Sequence, residues 1–162
     1  MGHVHRNLLN LSLILGLFSL ASCDDSLIYE ENKGLDGMTW KASEPITFQV
    51  DIQDTLQACN FYFNLRHGED YSFSNIFVFM KTTFPTGEAA RDTMEFTLQQ
   101  PDGKWIGSGL GDLRDNQILF KQNLKFPLRG TYTFSLEQAM RQEELPHVSE
   151  VGLRIAKFEA PK

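Results

Sequence analysis

The sequence has few basic residues, few histidines and no short motif typical of an enzyme. Its 162 residues include 15 Lys and Arg against 21 Asp and Glu, and no basic cluster occurs. This balance argues against nucleic acid or an anionic lipid surface as the partner, because both require clustered positive charge. Of the four histidines only His67 and His147 lie beyond residue 22, and neither H-E-x-x-H nor G-x-S-x-G is present. We therefore expect no enzymatic activity, no metal and no cofactor. Asp70 and Asp112 would become acid–base partners only by a coincidence of folding.

No apolar run is long enough to stay in a membrane as a helix. The run from Leu8 to Leu20 would span roughly 20 Å, whereas the hydrocarbon core of a bilayer is about 30 Å thick. Arg6 precedes the run, and Leu20-Ala21-Ser22-Cys23 ends it with small residues directly before a cysteine. This order predicts a cleaved lipoprotein signal over residues 1–22. An ordinary secretory signal is the alternative.

Cys23 is the predicted lipid attachment site. Its thiol can carry a diacylglycerol through a thioether, and the amine freed by cleavage can take a further acyl chain. One chain gives marginal membrane binding, whereas two or more give a stable anchor. We expect an envelope protein anchored by lipid, in the outer membrane. Asp24, Asp25 and the Glu30-Glu31 pair indicate an acidic, solvated tether over residues 23–40.

Residues 41–162 are expected to form one β-sandwich domain. Apolar and polar residues alternate with period two, as in Ile46–Ile52, and no window carries a convincing helical stripe, although 137–144 could make two turns. Turn residues punctuate the runs, with a hairpin predicted at 85–88. This pattern predicts an all-β fold, an antiparallel two-sheet sandwich of about seven or eight strands, with a lipocalin-like barrel as the alternative. The run 76–84 is apolar on both faces and predicts a central strand covered on both sides. The predicted strands are 46–52, 61–66, 76–84, 93–98, 118–126, 131–140 and 151–158.

The glycine-rich segment 102–112 is the least generic part of the domain. Its glycines lack dinucleotide spacing and no helix follows, so they indicate a corner or a close approach of another backbone. A calcium site built from Asp102, Asp112 and Asp115 is an alternative, although the spacing matches no regular calcium loop.

Three further side chains are candidates for a functional role. Trp40 and Trp105 could form a contact surface that stacks on a sugar ring, but such residues more often fill a core. Cys59 would be the only cysteine left once Cys23 carries lipid, so no intramolecular disulfide can form, and we expect a small buried apolar residue rather than a reactive thiol. The Asp, hydroxyl, apolar triplets 25–27, 54–56 and 92–94 are either O-glycosylation sites or turn and cap sequences.

The order and spacing of several stretches resemble the gliding motility lipoprotein GldH family. The resemblance runs from the signal to Val151-Gly-Leu-Arg-Ile155 and covers essentially the whole chain. The stretches that carry it are the Cys23 lipobox, 61–66 with 71–75, 84–87, 101–105 with 107–112, and 126–127 through 130–134 to 137–141.

This resemblance implies a non-catalytic component of the bacterial gliding machinery, anchored to the membrane by lipid. Other gliding-machinery lipoproteins or secretion-associated proteins are the implied partners. Cys23 is the only functional position that the resemblance transfers. A surface glycan-binding lipoprotein with a carbohydrate-binding-like sandwich is the alternative function.

Overall fold

Residues 25–109 and 111–160 are described by a computed structural model, and they fold almost entirely as strands. Within these residues no helix is long and apolar enough to cross a membrane. A short 3-10 turn covers Asp36–Met38. The strands are β1 (Leu27–Gly34), β2 (Thr39–Lys41), β3 (Ile46–Ile52), β4 (Ala58–Gly68), β5 (Asn75–Thr83), β6 (Ala89–Thr97), β7 (Leu113–Lys125), β8 (Gly130–Gln138), β9 (Glu144–Pro146) and β10 (Val148–Lys157).

Two four-stranded sheets face each other, and all their neighbouring strands are antiparallel. One sheet has the order β1-β10-β4-β7 and the other the order β3-β8-β5-β6. β2 and β9 form a separate two-stranded sheet. The predicted all-β, two-sheet antiparallel sandwich is therefore confirmed.

The alternating sequence pattern explains which side of each strand faces inward. In β3 every apolar residue from Ile46 to Ile52 is buried and every polar residue between them is exposed. The register then places Phe48 opposite Phe134 and Val50 opposite Tyr132 on the core side of the sheet. Such cross-strand apolar pairs are the unit by which a sheet is stabilised.

Aromatic rings join the two sheets in the core. Phe63 of β4 stacks on Phe96 of β6 with ring centroids 4.5 Å apart, and Phe61 packs on Phe126 at 5.4 Å. Each fully buried ring of this size contributes about 1.5–3 kcal/mol relative to exposure in water. Packing of this kind stabilises the domain without a disulfide among the described residues, where Cys59 is a free thiol.

β5 lies between β8 and β6, but the prediction that both its faces are covered is wrong. Ile76, Val78 and Met80 face the core, whereas Phe77 is 36% exposed on the outward face. The Arg91 guanidinium lies 4.1 Å from the ring centre of Phe79 and shields it from water. A sandwich of two sheets leaves each sheet one outward face, and here a cation covers part of that face.

The predicted tether is the largest difference between the sequence interpretation and the structure. From Leu27 the chain is not a solvated linker but the edge strand β1, paired with β10 along its whole length. Its outward residues Glu30 and Asn32 are polar because the outward face of the sheet meets water, whereas Tyr29 on the other face packs against the core. β1, β2 and β9 were all missed, so there are ten strands rather than seven or eight. No helical turns form at 137–144, where β8 ends and β9 begins.

The strands leave loops at two opposite ends of the sandwich. The lower end is where β1 begins, and it also carries the connections 53–57, 84–88 and 126–129. The upper end carries the β2–β9 pair and the segments 69–74 and 98–112. The predicted hairpin at 85–88 is confirmed as the link between β5 and β6 at the lower end.

Candidate functional site

The outward face of the β1-β10-β4-β7 sheet carries a polar groove of about 320 Å³. All four strands contribute to it, together with one residue of the glycine-rich segment. We call it the polar groove; its lining residues are Glu30, Asn32, Asn64, Leu65, Arg66, Ser108, Asp115, Asn116, Gln117 and Glu150.

A row of amide side chains crosses the groove and is made possible by a glycine. The register aligns Asn32, Gly152, Asn64 and Gln117 on four successive strands. Because Gly152 has no side chain, the Asn64 amide nitrogen reaches across β10 and donates to Asn32 Oδ1 at 3.0 Å. A Cβ at position 152 would lie 1.8 Å from that oxygen. Glycine is therefore required for this contact.

The charges of the groove are paired across strands. Arg66 lies between two carboxylates, with Nε 2.5 Å from Asp115 Oδ1 and a terminal nitrogen 2.6 Å from Glu150 Oε1. The hydrogen bond that Arg66 donates to Asp115 is the main reason that the pKa of Arg66 is raised above its ordinary value. Arg154 pairs in the same way with Glu30. These pairs fix the walls of the groove and reduce its negative charge.

Two asparagines of the groove lining have an amide oxygen that is buried without a hydrogen-bond partner among the described residues, but only that of Asn64 is on the groove side of the sheet. Asn116 pairs with the core residue Leu65 in the register, so its side chain points inward, against Gly107. Asn64 is 9% exposed and Asn116 is 6% exposed, and the Oδ1 atom of each is unpaired. A buried acceptor without a donor costs about 1–3 kcal/mol. The groove therefore suits a ligand that brings an O–H or N–H donor to Asn64 Oδ1.

A second polar group lies in an aromatic cluster at the upper end. His67 is fully buried, and its Nδ1–H donates to the carbonyl oxygen of Gly68 at 2.8 Å. Its ring lies 4.6 Å from Trp105 and 5.3 Å from Tyr71, and Nε2 has no partner in the described chain. Burial lowers the pKa of His67, and the nearby Arg114 lowers it further. The ring is thus held neutral and serves as packing for Trp105.

The two tryptophans do not form a common contact surface. Trp40 is 1% exposed and belongs to the core, so sugar stacking on Trp40 is ruled out by its burial. Trp105 is partly buried and packs edge-on against His67 at the upper end. The interpretation of both residues as packing groups fits these positions.

The glycine-rich segment makes a close backbone approach, as its sequence predicted. A Cβ on Gly109 would lie 2.0 Å from the carbonyl oxygen of Leu113, so the segment packs directly against the start of β7. Asp102 bonds within its own turn, to the Lys104 N–H, while Asp115 pairs with Arg66. No cluster of three metal-binding side chains occurs in residues 25–109 and 111–160. Asp102, Asp112 and Asp115 therefore do not assemble the calcium site.

Of the remaining predicted positions, Cys59 is buried, and this burial is the main reason that the pKa of its thiol is raised. This confirms the expectation of a small core residue. Asp70 and Asp112 are both exposed at the upper end. In the triplet 54–56, Asp54 Oδ1 accepts the Leu56 N–H, which is turn chemistry. Cys23 and the signal lie outside the described residues.

Sequence reasoning missed the groove residues, including Asn32, Asn64, Asn116 and Gly152. Alternation does show that Asn64 and Arg66 share one face of β4. It does not show that β10, more than 80 residues later in the sequence, pairs with β4 and places a glycine without a side chain next to Asn64. The only sequence signal is a glycine inside an otherwise apolar strand, which often marks a close approach.

Comparison with protein families gives a match over residues 27–155 to the model described as GldH lipoprotein. A protein of Christiangramia forsetii, named gliding motility lipoprotein GldH homolog, is 32% identical over 151 residues, covering 89% of this chain and 92% of its own. The gliding motility lipoprotein GldH of Flavobacterium johnsoniae is 31% identical over 150 residues, covering 88% of this chain and 92% of its own.

Among solved structures, a chain of the infectious bursal disease virus Gx strain aligns with 85% of this chain at 10% identity and a TM-score of 0.33. The aligned part is 31% of that viral chain. A likeness this low carries no argument about fold or function.

Proposed function

The chain belongs to the GldH lipoprotein family, and from this premise we propose that it is a non-catalytic component of the gliding machinery, anchored by lipid in the outer membrane. The observation that carries the proposal is the extent of the match. It begins at Leu27, where β1 begins, and ends at Ile155 within the last strand. The whole folded domain, and not one motif of it, is shared with the family.

The arrangement of polar side chains supports a role in binding rather than in catalysis. Arg66 and its two carboxylates are paired to one another, and His67 is enclosed by aromatic rings. The exposed surfaces of the two sheets are the parts that a partner can reach, and we propose other gliding-machinery lipoproteins or secretion-associated proteins as those partners.

Gene replacement in the producing cell tests this proposal. Deletion should abolish spreading on agar, and the wild-type gene should restore it. Cys23→Ala should fail to restore spreading and should leave the membrane fraction, because it lacks the lipid. Cys59→Ala is the matched control, since it removes the other cysteine without touching the anchor. Undiminished spreading after deletion would count against the gliding role, and membrane-bound Cys23→Ala protein would count against the anchor.

A second candidate, binding of a surface glycan, is favoured by one observation. The Oδ1 atom of Asn64, on the groove side of the sheet, has no donor among the described residues, and a sugar hydroxyl would supply one. Titration calorimetry with envelope oligosaccharides tests this, using Asn64→Ala as the groove variant. Gln49→Ala, on the exposed face of β3 in the other sheet, is the control. Saturable binding by the wild type and by Gln49→Ala, but not by Asn64→Ala, would support the glycan role. If the wild type binds no oligosaccharide, the glycan role is refuted.

A further inference from the structure

Exposed leucines are concentrated at the lower end of the sandwich. Four of the eight large apolar residues that are exposed in the described part of the chain lie there. They come from the start of β1, the 53–57 loop, the end of β7 and the 126–129 loop, so no single segment explains them. Their exposed fractions are Leu27 40%, Leu56 79%, Leu124 43% and Leu128 40%.

The most exposed of the four is held outward by its own turn. Asp54 Oδ1 accepts the backbone N–H of Leu56 at 2.8 Å and that of Gln57 at 3.3 Å. Such an Asx turn fixes the loop independently of the side chain that follows it. Leu56 is therefore presented to the surroundings of the domain by a defined loop, while the core beneath is closed by Ile52 and Cys59.

The lower end is also the end from which the chain leads to the predicted lipid. The Lys157 ammonium donates to the Asp25 carbonyl at 2.7 Å, and the Lys157 backbone N–H donates to the Ser26 carbonyl at 2.7 Å. Asp25 is thus attached to the end of β10. Cys23 is two residues earlier, and two residues span at most about 7 Å when fully extended. A lipid on Cys23 must therefore enter the bilayer directly beside this end.

We propose that the lower end is a membrane-contact surface on which Leu27, Leu56, Leu124 and Leu128 rest in the interface of the bilayer that holds the lipid. The proposal rests on lipidation of Cys23, which belongs to the proposed function. We assign this surface to the bilayer because the short tether to Cys23 brings the membrane within reach of all four leucine side chains. Strand spacing places the two edges of this sheet only about 14 Å apart.

The charges around the leucines favour a neutral lipid surface. Lys125 and Arg129 flank Leu124 and Leu128, and both are exposed, so their ammonium and guanidinium groups can reach headgroup phosphates while their stems lie on the interface. Asp54 and Glu88 are exposed at the same end and offset this positive charge. Contact therefore depends on apolar burial, and zwitterionic lipid is sufficient for it.

Site-directed spin labelling of the full lipidated protein tests the surface. Leu56→Cys and Leu128→Cys carry a nitroxide at the lower end, and Met38→Cys carries it at the upper end, where Met38 is 37% exposed. Because Cys59 is buried, we expect it not to take the label in the folded protein. On transfer from detergent to phosphatidylcholine vesicles, collision with a water-soluble nickel chelate should fall several-fold at 56 and 128 and stay unchanged at 38.

The possible outcomes separate this surface from the anchor. Protein that floats with the vesicles but remains open to the chelate at 56 and 128 overturns the membrane-contact surface and leaves the anchor intact. Protein that does not float overturns both. If the labels are accessible to the chelate in vesicles but inaccessible to it in intact cells, a partner protein covers the leucines. This result also overturns the proposal.

Discussion

Replacement of Gly152 by alanine should weaken the attachment of β1 and disorder the polar groove. The added Cβ would lie 1.8 Å from Asn32 Oδ1 and 2.8 Å from the carbonyl oxygen of Glu31. Asn32 must then swing away and lose its hydrogen bond to Asn64, and the β1 backbone must also move. Overpacking costs about 1–3 kcal/mol, and the lost hydrogen bond adds about 1 kcal/mol. We expect the free energy of unfolding to fall by about 2–4 kcal/mol.

A double-mutant cycle separates the two contacts. Asn32→Ala alone removes only the hydrogen bond and should cost about 1 kcal/mol. In the double variant Asn32 no longer clashes with the added Cβ. The loss of unfolding free energy in the double variant should therefore be smaller than the sum of the losses in the two single variants by at least about 1 kcal/mol. Equilibrium unfolding in urea, followed by tryptophan fluorescence, measures all four proteins. Additive costs would refute the idea that Asn32 occupies the space left by Gly152.

Three further predictions concern buried groups. The folded pKa of His67 is below its unfolded value of about 6.5, so the unfolded chain alone takes up a proton as the pH falls. The free energy of unfolding should therefore fall below pH 6.5 by up to about 1.4 kcal/mol per pH unit, and urea titrations at pH 7.5 and 5.5 should show a smaller loss in His67→Phe. Trp40→Ala should lower the free energy of unfolding by about 3–5 kcal/mol without altering sugar binding by calorimetry; a near-neutral result would contradict its core position. Cys59 should stay unreacted with a thiol reagent in the native protein and react fully in urea, and rapid native labelling would contradict its burial.

Where the two faces of a strand differ from each other in polarity, the sequence was sufficient to predict the strand and its buried face. The alternation in β3 identified its buried residues because water and core select opposite side chains. The same reasoning failed for β1, whose outward face holds Glu30 and Asn32. Glu30 and Glu31 were interpreted as part of a solvated linker, yet in the structure they pair with Arg154 and Leu153 of β10. A short polar edge strand has little apolar signal of its own.

The candidate site could not be predicted because it depends on register between distant strands. Asn32 and Asn64 are 32 residues apart, and they meet only because β10 inserts Gly152 between them. Composition and local period carry no information about which strands become neighbours. The close approach of the 102–112 segment was predictable, since glycine in a strand-like context has a local steric meaning.

The edge position of β1 determines how the domain bears load. If Cys23 carries the proposed lipid, a pull on that lipid would act along β1, since that strand begins at the lower end and runs to the Leu35–Ser149 hydrogen bond. The hydrogen bonds to β10 are perpendicular to this direction. Such a pull would strain these hydrogen bonds together in shear instead of opening them one after another, so we expect β1 to resist it as a unit.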